Sequence, residues 1–126
     1  LAVFGFPEVS VGLSVTGGVS RLLPVLVGWA RAKELLLLGE RVSGSEAAAM
    51  GLVARAVPSG THEEVALELA TRMARRPALA LSLAKRVLDG GLDSTLEEAM
   101  GREVEHAVLT SLSGEGEAPR EGFGRG

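Results

Sequence analysis

The sequence predicts an α/β chain that is mostly helical with a few short strands. Three observations carry that reading. The apolar run Leu1 to Phe6 is closed by Pro7, as a short buried strand would be. Further along, apolar residues recur at three- and four-residue spacing, the signature of helices with one buried face. Glycine, proline and Ser/Thr punctuate those stretches at helix-end positions.

Taken in order, Val9 to Val15 carries Gly12 and reads as a loop or short irregular strand, and Thr16-Gly17-Gly18 as a turn. Gly18 to Val27 is helical in pattern, with Val19, Leu22 and Leu26 on one face. Pro24 sits inside it and is expected to kink or divide the helix, since proline donates no hydrogen bond. Gly28-Trp29 is a joint where Trp29 is expected to pack. Ala30 to Leu38 forms a second helix capped by Gly39. Glu46 to Met50 forms a third, with Ser45 as the expected cap and Gly51 as the stop. Leu52 to Val57 reads as a short strand. Thr61 to Glu64 has capping-box spacing, and the helix after it stripes Val65, Leu69 and Met73. Glu63, Glu64 and Glu68 lie early in that helix and Arg72, Arg75 and Arg76 late, which suits its dipole. Pro77 opens a helix with Leu79, Leu83 and Val87 at four-residue spacing, ended by Gly90-Gly91. Ser94 or Thr95 caps a last long helix striped by Leu96, Met100, Val104, Ala107, Val108 and Leu112. A final helix start is expected at Pro119-Arg120-Glu121. The division expected is residues 1–60, a core with the functional loop, and residues 61–126, a helical region for oligomerisation.

Composition narrows the function. The chain has 126 residues, 46% hydrophobic and 23% charged, which suits a globular domain. A net charge of −3 without a basic run speaks against nucleic-acid binding. With no cysteine, disulfides, thiolate nucleophiles and Cys-based zinc sites are excluded. The longest apolar run, Leu35 to Leu38, falls far short of the ~20 residues of a membrane span. The chain opens directly on an apolar strand pattern with Leu1 and ends in Gly122-Phe123-Gly124-Arg125-Gly126, so a fragment of a longer protein is expected.

One set of motifs is more specific. Phe4-Gly5-Phe6-Pro7-Glu8 is followed by Gly12, by Gly17-Gly18 and by Ser20-Arg21-Leu22. Ala32 to Arg41 ends in a Gly-acid-basic turn. Ser43 to Val53 runs from a helix into Gly-Leu-Val, Pro77 to Arg86 carries Lys85, and Arg120-Glu121-Gly122-Phe123 closes the series. In this order the motifs resemble the enoyl-CoA hydratase/isomerase (crotonase) superfamily, in the second half of its domain. Where typical hydratases have Pro-Gly-Ala-Gly-Gly, this chain has Val15-Thr16-Gly17-Gly18, one residue shorter.

The resemblance implies a partial crotonase-like fold and an acyl-CoA thioester substrate. Two backbone N–H groups would polarise the thioester carbonyl and stabilise an enolate, while a carboxylate moves the proton. Glu8 matches the carboxylate that hydratases and double-bond isomerases use. Pro7, Gly12 and Leu13 would line the substrate pocket, and Phe6, Pro7, Val9 and Val11 would give Glu8 an apolar wall that raises its pKa. The oxyanion donors, the CoA-binding segment and the hydratases' other carboxylate would precede Leu1, leaving residues 1–126 inactive alone. The resemblance implies no metal or redox cofactor, a homotrimer or hexamer built partly by the C-terminal helices, and a cytoplasmic location. Two alternatives stand beside it: a non-catalytic crotonase-fold scaffold, and another crotonase reaction such as thioester hydrolysis.

Each singled-out residue has a plainer reading. By residue type alone Glu8 is a solvated loop carboxylate; the resemblance reverses that. The glycines fit neither the Rossmann nor the P-loop spacing, and tight turns explain them better. His62 and His106 are expected to be exposed. Arg72, Arg75 and Arg76 read as a solvated helix end rather than a phosphate site.

Overall fold

The computed structural model describes residues 2–114, so Leu1 and the expectations placed on Pro119 to Gly126 lie outside the described residues. The described chain forms two compact units, divided between Glu63 and Glu64.

The first unit is organised around a helical pair. Helix α1 spans Val19–Val27 and helix α2 Trp29–Leu38. They pack on one another, with Leu23, Ala32, Leu35 and Leu36 as the buried centre. Phe6, Val15, Val19, Val27, Val42, Met50 and Leu52 close around that centre. The inward face of α1 is therefore Val19, Leu23 and Val27, an i, i+4, i+8 row; the expected face fails at Leu22 and Leu26, which are about half exposed. Pro24 does not divide the helix. It lies buried within α1, and the break falls at Gly28, whose φ of 80° and ψ of 158° are outside the helical region. Burial of the ring offsets the hydrogen bond that proline cannot make. Trp29, expected to pack at the joint, is the exposed first residue of α2, where core contact begins only at Ala32.

Strand β1 covers Val3–Gly5 and pairs antiparallel with β2, Arg41–Ser43, so that Phe4 faces Val42. Helix α3, Gly44–Ala49, follows directly. Its cap is Ser43 rather than Ser45. Glu46 Oε2 accepts from the Ser43 amide at 2.7 Å and from its hydroxyl at 2.6 Å, while Ser43 Oγ accepts from the Glu46 amide at 3.3 Å. Ser43 and Glu46 thus have the three-residue offset of a capping box. Leu52 to Val57 is not a strand. The amides of Leu52 and Val53 donate to Ala47 O at 2.9 and 3.3 Å, which turns the chain back onto α3 instead of offering a ladder. At Thr61 the hydroxyl donates to Pro58 O at 2.9 Å.

The second unit holds most of α4 (His62–Ala74), α5 (Ala78–Gly90) and α6 (Leu96–Leu112). Helix α5 packs on α6 and buries Leu83, with Leu79 and Val87 half-buried on the same row. On α4, Val65 and Leu69 are half-buried but Met73 is exposed. Thr95 caps α6 with a full capping box to Glu98. The striped residues of α6 are open to solvent: Leu96 and Leu112 are 78% and 79% exposed. No helix among the described residues is long and apolar enough to cross a membrane.

Candidate functional site

Glu8 stands at the start of a single 3-10 turn, Val9–Val11, two residues after Phe6 leaves β1 for the core. The turn forms because Gly12 ends it: at φ 76° and ψ 18°, in the left-handed region that glycine enters without strain, Gly12 returns its amide to Val9 O at 3.2 Å. The Glu8 carbonyl accepts from the Val11 amide at 3.1 Å and from the Leu13 amide at 2.8 Å. Phe6 before the turn and Val15 after it both pack on the helical core. The backbone that carries Glu8 is thus pinned at both ends.

The side chain is half-buried, and its Oε2 is shut off from solvent with no hydrogen-bond partner among the described residues. A shielded, unpartnered carboxylate oxygen is costly, and such groups concentrate where chemistry needs them. Around it the surface is apolar. Pro7, Val9, Val11 and Leu13 are exposed, and Leu13 keeps 63% of its surface open. Of the apolar wall expected around Glu8, only Phe6 faces inward.

Pro7 lines a cleft of about 240 Å³ with Val3, Phe4, Gly5, Gly39 and Arg41; Glu8, Gly12 and Leu13 are not among its lining residues. A larger cleft, about 760 Å³, lies along Ala2 to Phe4, Ser43 to Ser45, Val53, Arg55 to Gly60 and His62. Gly39 is the residue whose place here the sequence did not reveal. It reads only as a helix cap, yet it sits against Ser10 and Phe6. No local pattern announces a contact between segments so far apart in the chain.

His62 is exposed, whereas His106 is half-buried with a shielded Nδ1 that has no partner among the described residues, against the expectation of exposure. Arg72, Arg75 and Arg76 are exposed, and Arg72 reaches Glu68 at 3.9 Å. Lys85 pairs with Asp89 one turn along α5.

The family model for enoyl-CoA hydratase/isomerase matches residues 1–123, and the chain belongs to that family. It is 36% identical over 111 residues to a probable mitochondrial enoyl-CoA hydratase 2 of Arabidopsis thaliana, covering 88% of this chain and 36% of that protein. It is 35% identical over 102 residues to the 2,3-dehydroadipyl-CoA hydratase of Escherichia coli K12, covering 81% of this chain and 40% of the relative. Among solved structures it superimposes on a probable enoyl-CoA hydratase/isomerase from Mycobacterium abscessus. There the TM-score is 0.82 and the identity 33%, over 88% of this chain and 44% of the other. The fold is that of the crotonase enzymes, and the chain spans about two fifths of the length of these relatives.

Proposed function

We propose that the whole protein acts on an acyl-CoA thioester as a 2-enoyl-CoA hydratase or double-bond isomerase, with Glu8 transferring the proton. The observation that carries this is the shielded, unpartnered Oε2 of Glu8 on a turn fixed by the core. The His106 nitrogen is equally unpartnered, but it lies on a helix where no family motif falls.

In hydration, the oxygen of water bonds to C3 of the enoyl group while the C2=C3 electron pair moves toward the thioester carbonyl. The enolate so formed takes a proton at C2 from the Glu8 carboxyl, and a proton of the water replaces it. In isomerisation, the same carboxylate takes a proton from one carbon of the acyl chain and returns it to another. Either way the carbonyl oxygen gains charge, which two backbone N–H donors would hold. Those donors, and the CoA-binding segment, would come from the rest of the crotonase domain, of which this chain spans about two fifths. Pro7, Gly12 and Leu13 would form the wall nearest the reacting carbons. No metal or redox cofactor takes part in this scheme.

The exposed stripe of Leu96, Met100, Val104, Val108 and Leu112 supports assembly into a trimer or hexamer, since contiguous apolar surface of this kind is seldom left in water. The test is turnover of crotonyl-CoA by the full-length protein, followed as loss of the enoyl thioester absorbance. Hydration or double-bond migration supports the proposal. Tight binding of CoA esters without turnover would favour a non-catalytic scaffold.

A further inference from the structure

We propose that Gly39 is a positioning residue for Glu8, an inference that rests on Glu8 being the proton-transfer group. Gly39 caps α2 at φ 66° and ψ 19°, and its amide donates to Leu35 O at 3.1 Å. Its second property is what it lacks. A methyl placed on Gly39 would run into Ser10 Oγ and lie 3.5 Å from both Ser10 Cβ and the Phe6 carbonyl oxygen. Phe6 stands two residues before Glu8 and Ser10 two residues after, so the end of α2 lies against both arms of the turn that carries the carboxylate. Helix α2 is itself immobilised by Leu35 and Leu36, which are 3% and 9% exposed. Position thus passes from the core through α2 and Gly39 to the turn and to Glu8. A Cβ at Gly39 cannot coexist with the Ser10 hydroxyl as it stands, so Ser10 must shift, and an ångström of that shift passed along the turn to a reacting group costs up to about 10²-fold in rate.

A mere cap behaves differently. Asparagine enters the left-handed region with less strain than other side chains and serves as a helix C-cap, so Gly39→Asn largely keeps the cap while its Cβ obstructs the close approach. The experiment measures kcat and KM of the full-length protein on crotonyl-CoA for Gly39→Asn, Gly39→Ala, Ser10→Gly and the Gly39→Ala/Ser10→Gly pair, beside Glu8→Gln. The expected result is a kcat at least about 10-fold lower for Gly39→Asn with KM within about 3-fold, because the group displaced acts in the chemical step. The loss in Gly39→Ala should shrink in the Ser10→Gly background, where the atoms in its way are gone. An unchanged kcat in Gly39→Asn, or an Ala loss of the same size in both backgrounds, overturns the inference. Should the Asn variant fail to fold, the Ala/Ser10 cycle decides alone. Full turnover by Glu8→Gln, or none by the unaltered protein, overturns the reading of Glu8 and this inference with it. A crippled Glu8→Gln beside an intact Gly39→Asn overturns the inference alone.

Discussion

Leu23→Ala should destabilise the protein by roughly 3–4 kcal/mol. Leu23 is 2% exposed and sits where α1 meets Ala32, Leu35 and Leu36. Truncation removes three carbons, about 2.4 kcal/mol of lost transfer energy at ~0.8 kcal/mol each. A cavity held open by two packed helices adds on the order of 1 kcal/mol more. In urea unfolding at a slope of about 2 kcal/mol/M, the midpoint should fall by roughly 1.5–2 M. Leu23→Met, which nearly conserves volume, should cost less than about 1.5 kcal/mol. The damage should also reach the candidate site, because Phe6 and Val15 lean on the same cluster. Hydrogen exchange at the Val11 and Leu13 amides, both bound to Glu8 O, should quicken in Leu23→Ala. A cost below about 1 kcal/mol for Leu23→Ala would mean that the α1–α2 contact is not the core.

Other outcomes follow from the helix ends. Thr95→Ala removes a full capping box and should cost about 1 kcal/mol, read as a lowered unfolding midpoint. The Thr95 amide and hydroxyl hold the Glu98 carboxyl below the usual glutamate range, and the Ser43 hydroxyl and amide do the same for Glu46. These bonds contribute fully above the ordinary glutamate pKa and are lost as the pH falls through the lowered folded values, because the unfolded state then binds more protons. Stability should therefore fall with acidification, and Glu98→Gln should flatten part of that dependence in denaturation curves across that range. Gly39→Asn should slow turnover of crotonyl-CoA while sparing KM.

What the sequence disclosed and what it withheld have physical reasons. Gly39 was legible as a cap because a left-handed terminus nearly demands glycine after an apolar helical run. The Leu79, Leu83, Val87 row was legible because its four-residue period survives in one buried face. Strand β2 was not, since Arg41-Val42-Ser43 carries a single apolar residue and takes its state from its partner β1. Leu52 to Val57 misled for the converse reason: its composition suits a strand, but β1 is paired to β2 and its first amides turn back to Ala47. The cap of α3 is Ser43 and not the nearer Ser45, because only Ser43 has the three-residue offset to Glu46. Of the candidate site, Glu8 and the turn at Gly12 could be named from motif order. The contact of Gly39 with Ser10 and Phe6 could not, because only the packed helix brings those segments together.

Proton transfer by the unpartnered carboxyl of Glu8, as proposed, is open to a direct test. The most direct measurement is kcat of the full-length protein on crotonyl-CoA with and without Glu8→Gln, a substitution that keeps the shape and removes the acid. A fall of about 10²-fold or more is expected, with the unfolding midpoint unchanged or raised, since an unpartnered shielded acid is lost. A Glu8→Gln protein that turns over as fast as the original would contradict it.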